Sequence, residues 1–241
     1  MGAGYPLCES AIETGKIIAR RQLRAFDFDF LRQALTCGFL DHYVPQVFCN
    51  KGYVMIIGDG FGSLTSLILS LFPKSRVFLI NLRKTLLADL MYIKKGLPDI
   101  SFGLIENEKG LLEAQNDPSL RLIASIADNF HLIEKIPVAL GINIASFQEM
   151  TPLVIKGYFR FLRKAPVSDS YTYLYCCNRL EKKLFDGTIV RFIEYSWESG
   201  DTIMIDELCP WHQTYYSFIP PFYRRFDGPI QHRLVSLRKN L

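Results

Sequence analysis

Apolar residues along this chain fall into short continuous runs separated by glycine, proline and small polar residues. Tyr53-Val-Met-Ile-Ile57 is one such run, with the length and composition of a strand buried on both faces of a parallel sheet. It leads into Gly58-Asp-Gly-Phe-Gly62, after which Ser63 opens the apolar stretch Leu64 to Leu71, stopped by Pro73. The expected order is strand, glycine turn, helix. Arg76 to Ile80 predicts a second strand ending on Asn81, and Lys84 to Lys95 a second helix closed by Gly96 and Pro98. This is the spacing of a βαβ unit, whose right-handed crossover makes the two strands parallel neighbours.

Further strands are expected at Ser101 to Ile105, Leu122 to Ala127, Val138 to Ala145 and Tyr171 to Asn178. A helix is expected over Thr151 to Leu162, with Thr151 as N-cap and Pro152 at the first helical position. Asp186-Gly187, between Lys182 to Phe185 and Thr188 to Ile193, signals a hairpin. Thr202 to Ile205 and Ile230 to Leu237 predict an antiparallel pair at the end of a mainly parallel sheet. Residues 1–50 mix helical periodicity with aromatic clusters such as Phe26, Phe28 and Phe30. They are expected to form a mostly helical lid or flank on one α/β domain spanning residues 51–241.

A length of 241 residues suits one such domain, and 49% hydrophobic with 13% aromatic residues provides a sizeable core. The 28 Lys and Arg exceed the 24 Asp and Glu by only four, with 22% of the chain charged, so a nucleic-acid partner is not indicated. The six cysteines form no CxxC pair and no zinc-like spacing, which points to free thiols in a reducing, cytoplasmic setting. No apolar segment has the length of a membrane span, and no membrane insertion is expected.

The candidate chemistry starts at the turn. Gly58, Gly60 and Gly62 lack a Cβ, so backbone N–H groups at the start of a helix can approach a ligand closely. The third glycine comes too early for the GxGxxG spacing of dinucleotide folds, which favours a nucleoside without a pyrophosphate, such as S-adenosylmethionine. Asn81 stands where nucleoside-binding α/β folds place an acid for the ribose hydroxyls, and Asp128 closes another strand within reach of an adenine amino group. For a general base, His212 is the first candidate, because imidazole titrates near neutrality, with Glu149 second and His232 third. Asn178 and Arg179, followed by Lys182 and Lys183, offer donors to a polyhydroxyl or acidic substrate. No spacing demands a metal, although Glu149, Asp206 and Glu207 offer hard oxygen ligands for Mg²⁺ if the fold brings them together.

Several separated segments carry a resemblance. Ile144-Ala-Ser-Phe-Gln-Glu-Met150, Ile155-Lys-Gly-Tyr-Phe-Arg-Phe-Leu162, Tyr175-Cys-Cys-Asn-Arg179 and Asp186-Gly187 come first. Phe192 to Tyr195 with Trp197, Asp206-Glu-Leu-Cys-Pro-Trp-His-Gln213 and Gly228-Pro-Ile-Gln-His-Arg-Leu234 follow in order. Together, from about Tyr53 onward, they resemble the bacterial sugar O-methyltransferase family. The resemblance implies a Rossmann-like class I methyltransferase sheet, mainly parallel with an antiparallel C-terminal strand and helices on both faces. It also implies S-adenosylmethionine as methyl donor and a sugar hydroxyl, in a polysaccharide or glycoside, as acceptor.

On that basis the turn residues Gly58, Asp59, Gly60, Phe61 and Gly62, with Asn81, Leu82, Asp128, Ala145 and Ser146, are the candidate cofactor contacts. Gln148, Asn178, Arg179 and Trp211 are the candidate substrate contacts. Two positions depart from the class I pattern: Ile56 stands where an acid commonly precedes the turn, and Asn81 replaces the second acid, leaving Asp59 to supply a carboxylate. Two alternatives remain at this point, a non-catalytic binding protein on the same scaffold and a nicotinamide-dependent oxidoreductase. A homodimer is also open.

Overall fold

The computed structural model describes residues 4–49, 52–129, 132, 134–165 and 171–239. Two helices, α1 (Cys8–Arg21) and α2 (Phe28–Tyr43), precede the first strand. The aromatic alternation at residues 26–30 is the entry to α2, where Asp27 accepts from the Asp29 and Phe30 N–H groups as N-cap. The chain then alternates β1 (Tyr53–Ile57), α3 (Ser63–Leu71), β2 (Arg76–Asn81), α4 (Arg83–Gly96), β3 (Phe102–Leu104), α5 (Glu108–Asn116), β4 (Leu122–Ile126), β5 (Val138–Ile144), α6 (Pro152–Lys164) and β6 (Tyr171–Arg179). A hairpin of β7 (Glu181–Lys183) and β8 (Ile189–Arg191) follows. After it come β9 (Thr202–Leu208), a second hairpin of β10 (Thr214–Tyr216) and β11 (Tyr223–Arg225), and β12 (Ile230–Arg238).

Eight strands form one sheet in the order β3-β4-β2-β1-β5-β6-β12-β9. Every neighbouring pair from β3 to β6 is parallel, and β12 runs antiparallel between β6 and β9. Alternation along each strand divides the core in two. Val54 and Ile56 of β1 face the layer made by α1, α2, α3 and α4. Tyr53, Met55 and Ile57 face α5 and α6 on the other side. Both faces of β1 are buried, which is why its sequence shows no polar alternation.

Several boundaries differ from expectation for local reasons. The strand expected to reach Ala145 ends at Ile144, because Ala145 takes a left-handed conformation with φ of 58°. Thr151 occupies the N-cap position of α6, yet its side chain makes no capping bond. Helix α5 and the β10–β11 hairpin have no counterpart among the expected elements. No helix among the described residues is long and apolar enough to cross a membrane.

Candidate functional site

Beyond β1 the chain runs outward to β2, β3 and β4, then returns to β5 on the opposite side of β1. At such a switch point the loops leaving the two strands diverge, and a crevice opens at the carboxyl ends of the strands. Here a cleft of about 340 Å³ occupies that place. Gly58, Asp59, Gly60, Phe61, Asn81, Ala145, Ser146 and His212 line it, together with Asp29, Gln33, Thr85 and Ile144.

The turn after β1 is built from left-handed backbone. Gly58, Gly60, Phe61 and Gly62 all have positive φ, between 61° and 75°. A Cβ at Gly58 would lie 2.8 Å from the Cβ and Oγ of Ser146, whereas one at Gly60 would meet nothing within 4 Å. The β1 and β5 loops thus press together at Gly58, and the turn faces open space at Gly60. Gly62 packs inward: a Cβ there would lie 2.8 Å from the Asp89 carbonyl and 2.9 Å from Cδ1 of Ile93 in α4.

Asp59 does something other than expected. Its carboxylate oxygens accept from the Leu64 and Thr65 N–H groups at 2.9 and 2.7 Å, so they cap α3 and are already committed. Asn81 is committed as well: Nδ2 donates to Asp89 at 2.8 Å and Oδ1 accepts from the Leu82 N–H. Ile56 is buried among the apolar residues of the α1–α4 face and brings no polar group to the cleft. The expected carboxylate for the ribose is therefore supplied neither by Asp59 nor at Ile56 or Asn81.

Burial and the neighbouring Asp89 push the Asp59 carboxyl up to about 7, and burial pushes Asp89 up to about 6 against hydrogen bonds that lower it. Both values lie above the ordinary carboxylate range, so the stability this pair contributes is complete below about pH 4 and is lost as pH rises through 6 to 7. A fall in Tm on the order of 5 °C is expected between pH 5 and pH 8. Asp59→Asn keeps an acceptor for α3 and should flatten that slope in thermal melts; an unchanged slope would assign it to other groups.

A buried polar network holds the far wall. Asn143 Nδ2 donates to the Ile57 carbonyl, its Oδ1 accepts from Phe147 N–H and from Asn178 Nδ2, and Asn178 Oδ1 accepts from Gln148 N–H. Gln148 Oε1 in turn accepts from Arg179 N–H at 2.8 Å. Gln148 and Asn178, expected on the substrate, instead tie the loop after β5 to β6. Trp211 also packs inward, against Phe39 and His232, with Nε1 donating to Thr36. Gly62, Leu82, Asp128, Gln148, Asn178, Arg179 and Trp211 are not among the residues lining the cleft.

The three candidate bases separate. Glu149 stands at the surface, 3.4 Å from Lys182. His232 is buried on β12, with Nδ1 3.1 Å from the Tyr175 hydroxyl and Nε2 3.4 Å from Glu207, so both ring nitrogens are engaged away from the cleft. His212 alone lines the cleft. Its Nδ1 lies 3.6 Å from Cys177 Sγ. Burial, then the charges of Arg32 and Arg179, lower its pKa to about 3, which keeps the imidazole neutral at ordinary pH.

The Mg²⁺ expectation is not met. Asp206 and Glu207 are successive residues of β9 and point to opposite faces, where Asp206 pairs with Arg233 and Glu207 with His232. With Glu149 on Lys182, the three carboxylates cannot share one ion, and no group of three or more His, Cys, Asp or Glu side chains gathers among the described residues.

Two cleft residues come from α2 and have no place among the sequence candidates. Gln33 is 4% exposed and its Oε1 makes no hydrogen bond. Asp29, one turn earlier on the same face, has its carboxyl raised by burial first and then by Asp27. The signal was present as an i, i+4 polar pair on α2, but nothing in the sequence says that this face meets the glycine turn. Arg24, just before α2, holds the turn from outside: its guanidinium lies 4.6 Å from the Phe61 ring and donates to Ser63 Oγ.

A second groove, of about 510 Å³, runs between α4 and the ends of β3 and β4. Leu86, Leu87, Leu90, Leu104, Ile105 and Ile126 line it, with Asn129 at one side. Leu82, exposed, stands in sequence between Asn81 of the cleft and Arg83 of the groove.

No protein-family model and no curated protein matches the sequence. Among solved structures, a Galdieria sulphuraria protein assigned as a sarcosine dimethylglycine methyltransferase superposes with a TM-score of 0.54 at 10% identity, over 88% of this chain and 89% of that one. This is the class I methyltransferase fold. Two other similar structures are the Escherichia coli protein yhhF, assigned as a methyltransferase (TM-score 0.47, 9% identity, 85% of each chain), and the mitomycin 7-O-methyltransferase MmcR. The last has a TM-score of 0.42 and 15% identity over 87% of this chain, which spans only 57% of the MmcR chain. At 10% identity the likeness to the Galdieria sulphuraria protein establishes the fold and leaves the reaction to the site.

Proposed function

We propose that this protein binds S-adenosylmethionine in the switch-point cleft and transfers its methyl group to a hydroxyl of a saccharide or glycoside. One observation carries the proposal: a single cleft joins the left-handed glycine turn to the unpaired Gln33 carbonyl oxygen and to the neutral His212 imidazole, whose Nδ1 faces Cys177 Sγ. The turn residues Gly58 to Phe61 and the Ala145-Ser146 loop would hold the donor, and the apolar groove beyond Leu82 suits the flat purine. The donor supplies, when bound, a sulfonium-activated methyl carbon.

The chain has to align the acceptor and accommodate a proton. Methylation of a hydroxyl releases that proton, and the neutral His212 imidazole, with the Asp29 carboxyl beside it in the cleft, can take it on its way to solvent. Asp29 and Gln33 accept hydrogen bonds from neighbouring hydroxyls of the acceptor, which suits a polyhydroxyl ligand better than an apolar one. Gln33→Leu is expected to stabilise the free protein by about 1 kcal/mol, because a buried acceptor without a partner is removed. It should also raise KM for the acceptor about tenfold and leave product-cofactor affinity within about threefold. A purely structural role for Gln33 predicts lower stability and unchanged KM.

Calorimetric titration with S-adenosylhomocysteine tests the proposal at its base, since this product cofactor cannot turn over. Micromolar binding, about −8 kcal/mol, is expected. No heat and no thermal shift would favour a non-catalytic scaffold, the reading to which the commitments of Asp59 and Asn81 lend weight.

A further inference from the structure

The β10–β11 hairpin ends in an apolar tip that no other described residue covers. Its stem pairs Thr214 with Arg225, Tyr215 with Arg224 and Tyr216 with Tyr223. The stem is anchored at both ends: at its base Arg32 of α2 donates to the Thr214 carbonyl and the Phe226 N–H donates to the Gln213 carbonyl, and next to the tip Phe28 packs edge-on against Tyr223. Beyond Ser217 the chain reads Phe218-Ile-Pro-Pro-Phe222, five residues without a polar side chain. Phe218 is 91%, Ile219 69% and Phe222 50% exposed.

Apolar side chains at a loop tip usually leave unsatisfied backbone groups beside them, which keeps the tip in water. This tip is different. Pro220 and Pro221 have no N–H, Ile219 N–H donates to Ser217 Oγ, and Ser217 N–H donates to the Phe222 carbonyl. Arg224 turns back so that Nη2 donates to the Ile219 and Pro220 carbonyls, each at 3.3 Å. Much of the polar backbone of the tip is therefore satisfied from within, the condition for entering hydrocarbon at low cost.

The residue types of the hairpin suit a bilayer surface. Phe, Ile and Pro form the tip, the exposed Tyr216 and Tyr223 stand directly behind it, Tyr215 is level with Arg224, whose guanidinium reaches forward to the tip carbonyls, and the exposed Arg225 is paired with Thr214 at the base. Aromatic rings with a polar end favour the headgroup level, and arginines favour anionic phosphates. A saccharide or peptide partner would call for free hydrogen-bonding side chains at the tip; residues 218–222 have none, and the neighbouring Ser217 Oγ and Arg224 Nη2 are engaged with the backbone of the tip itself.

We infer that the β10–β11 hairpin is a membrane-docking element whose Phe218–Phe222 tip inserts shallowly into the interface of an anionic lipid bilayer. Five residues cannot span a bilayer, so the contact is interfacial and needs no membrane-crossing helix, of which the described residues have none. The same hairpin packs against Phe226, which meets the His212 ring, so docking would turn the cleft end of the sheet toward lipid. The inference does not depend on methyl transfer, because the readout is binding alone.

The test is flotation of the full chain with vesicles of phosphatidylcholine and phosphatidylglycerol in equal parts. Wild type should float with the vesicles. Phe218→Asp combined with Ile219→Asp should lower partitioning by about tenfold or more, with an unchanged Tm because both side chains are exposed. In a separate variant, the indole introduced by Phe218→Trp should shift its emission to the blue on adding vesicles and be quenched by brominated acyl chains. Failure of the wild type to float, or flotation that survives the double substitution and disappears in high salt, would overturn tip insertion. Protection of the indole by soluble oligosaccharide and not by vesicles would assign the hairpin to the acceptor instead.

Discussion

His212→Ala is expected to lower turnover by about 10²-fold, the low end for a general base because so weakly basic an imidazole drives proton transfer little, while leaving S-adenosylhomocysteine affinity within about threefold. The expectation follows from position and protonation state together. The imidazole lines the same cleft as the glycine turn, and burial beside Arg32 and Arg179 keeps it neutral above about pH 3. A base must be unprotonated to act, so this group imposes no loss of rate between pH 5 and 8, and any acid limb it causes lies near pH 3 to 4. Its sulfur neighbour bears on the tautomer. A lone pair at Nε2 requires the proton on Nδ1, directed at Cys177 Sγ 3.6 Å away, a weak acceptor. Cys177→Ser should therefore retain turnover, whereas an apolar Cys177→Val should lose part of it. Retained turnover in His212→Ala with normal cofactor binding would remove the residue from this role.

Gly62→Ala is expected to destabilise the protein by about 3 kcal/mol and to weaken product-cofactor binding at least tenfold. At φ of 65° an alanine is strained by itself, and its Cβ would lie 2.8 Å from the Asp89 carbonyl, a backbone atom that cannot rotate away. Relief requires α3 to move from α4. Such movement would carry the whole turn with it, because Asp59 is fastened to the first N–H groups of α3. Gly60→Ala is the contrasting variant. It carries the same left-handed strain, at φ of 61°, but meets no atom within 4 Å, so its smaller cost of stability, about 1–2 kcal/mol, separates strain from steric overlap. Urea unfolding of both variants with parallel titrations checks this. Equal stabilities would mean that the contact at Ile93 and Asp89 relaxes without consequence.

The parallel core was legible because each of its strands is a local event. Tyr53–Ile57 is apolar throughout, ends at a glycine turn and is followed by a helix, and that much is written in adjacent residues. The hairpin at Asp186-Gly187 was legible for the same reason, since Gly187 alone among its neighbours suits the left-handed position it takes. Helix α5 has only two buried residues, Leu111 and Ala114, too few to give a periodic signal. The short strands of the β10–β11 hairpin bury little, so no alternation marks them.

Polar side chains divided differently. The residue types of Asp59, Asn81, Gln148, Asn178, Trp211 and His232 all suit a ligand, and in the fold each finds a partner within the protein. Gln33, which drew no notice, is the one with a buried oxygen left over at the cleft. Sequence by itself determined the alternation of strands and helices, the position of the glycine turn and the antiparallel strand at the end of the sheet, because those depend on residues close together in the chain. Which polar groups remain free to meet a ligand was decided only by the tertiary structure, because a hydrogen bond such as Asn178 to Asn143 or Trp211 to Thr36 joins residues 35 and 175 positions apart.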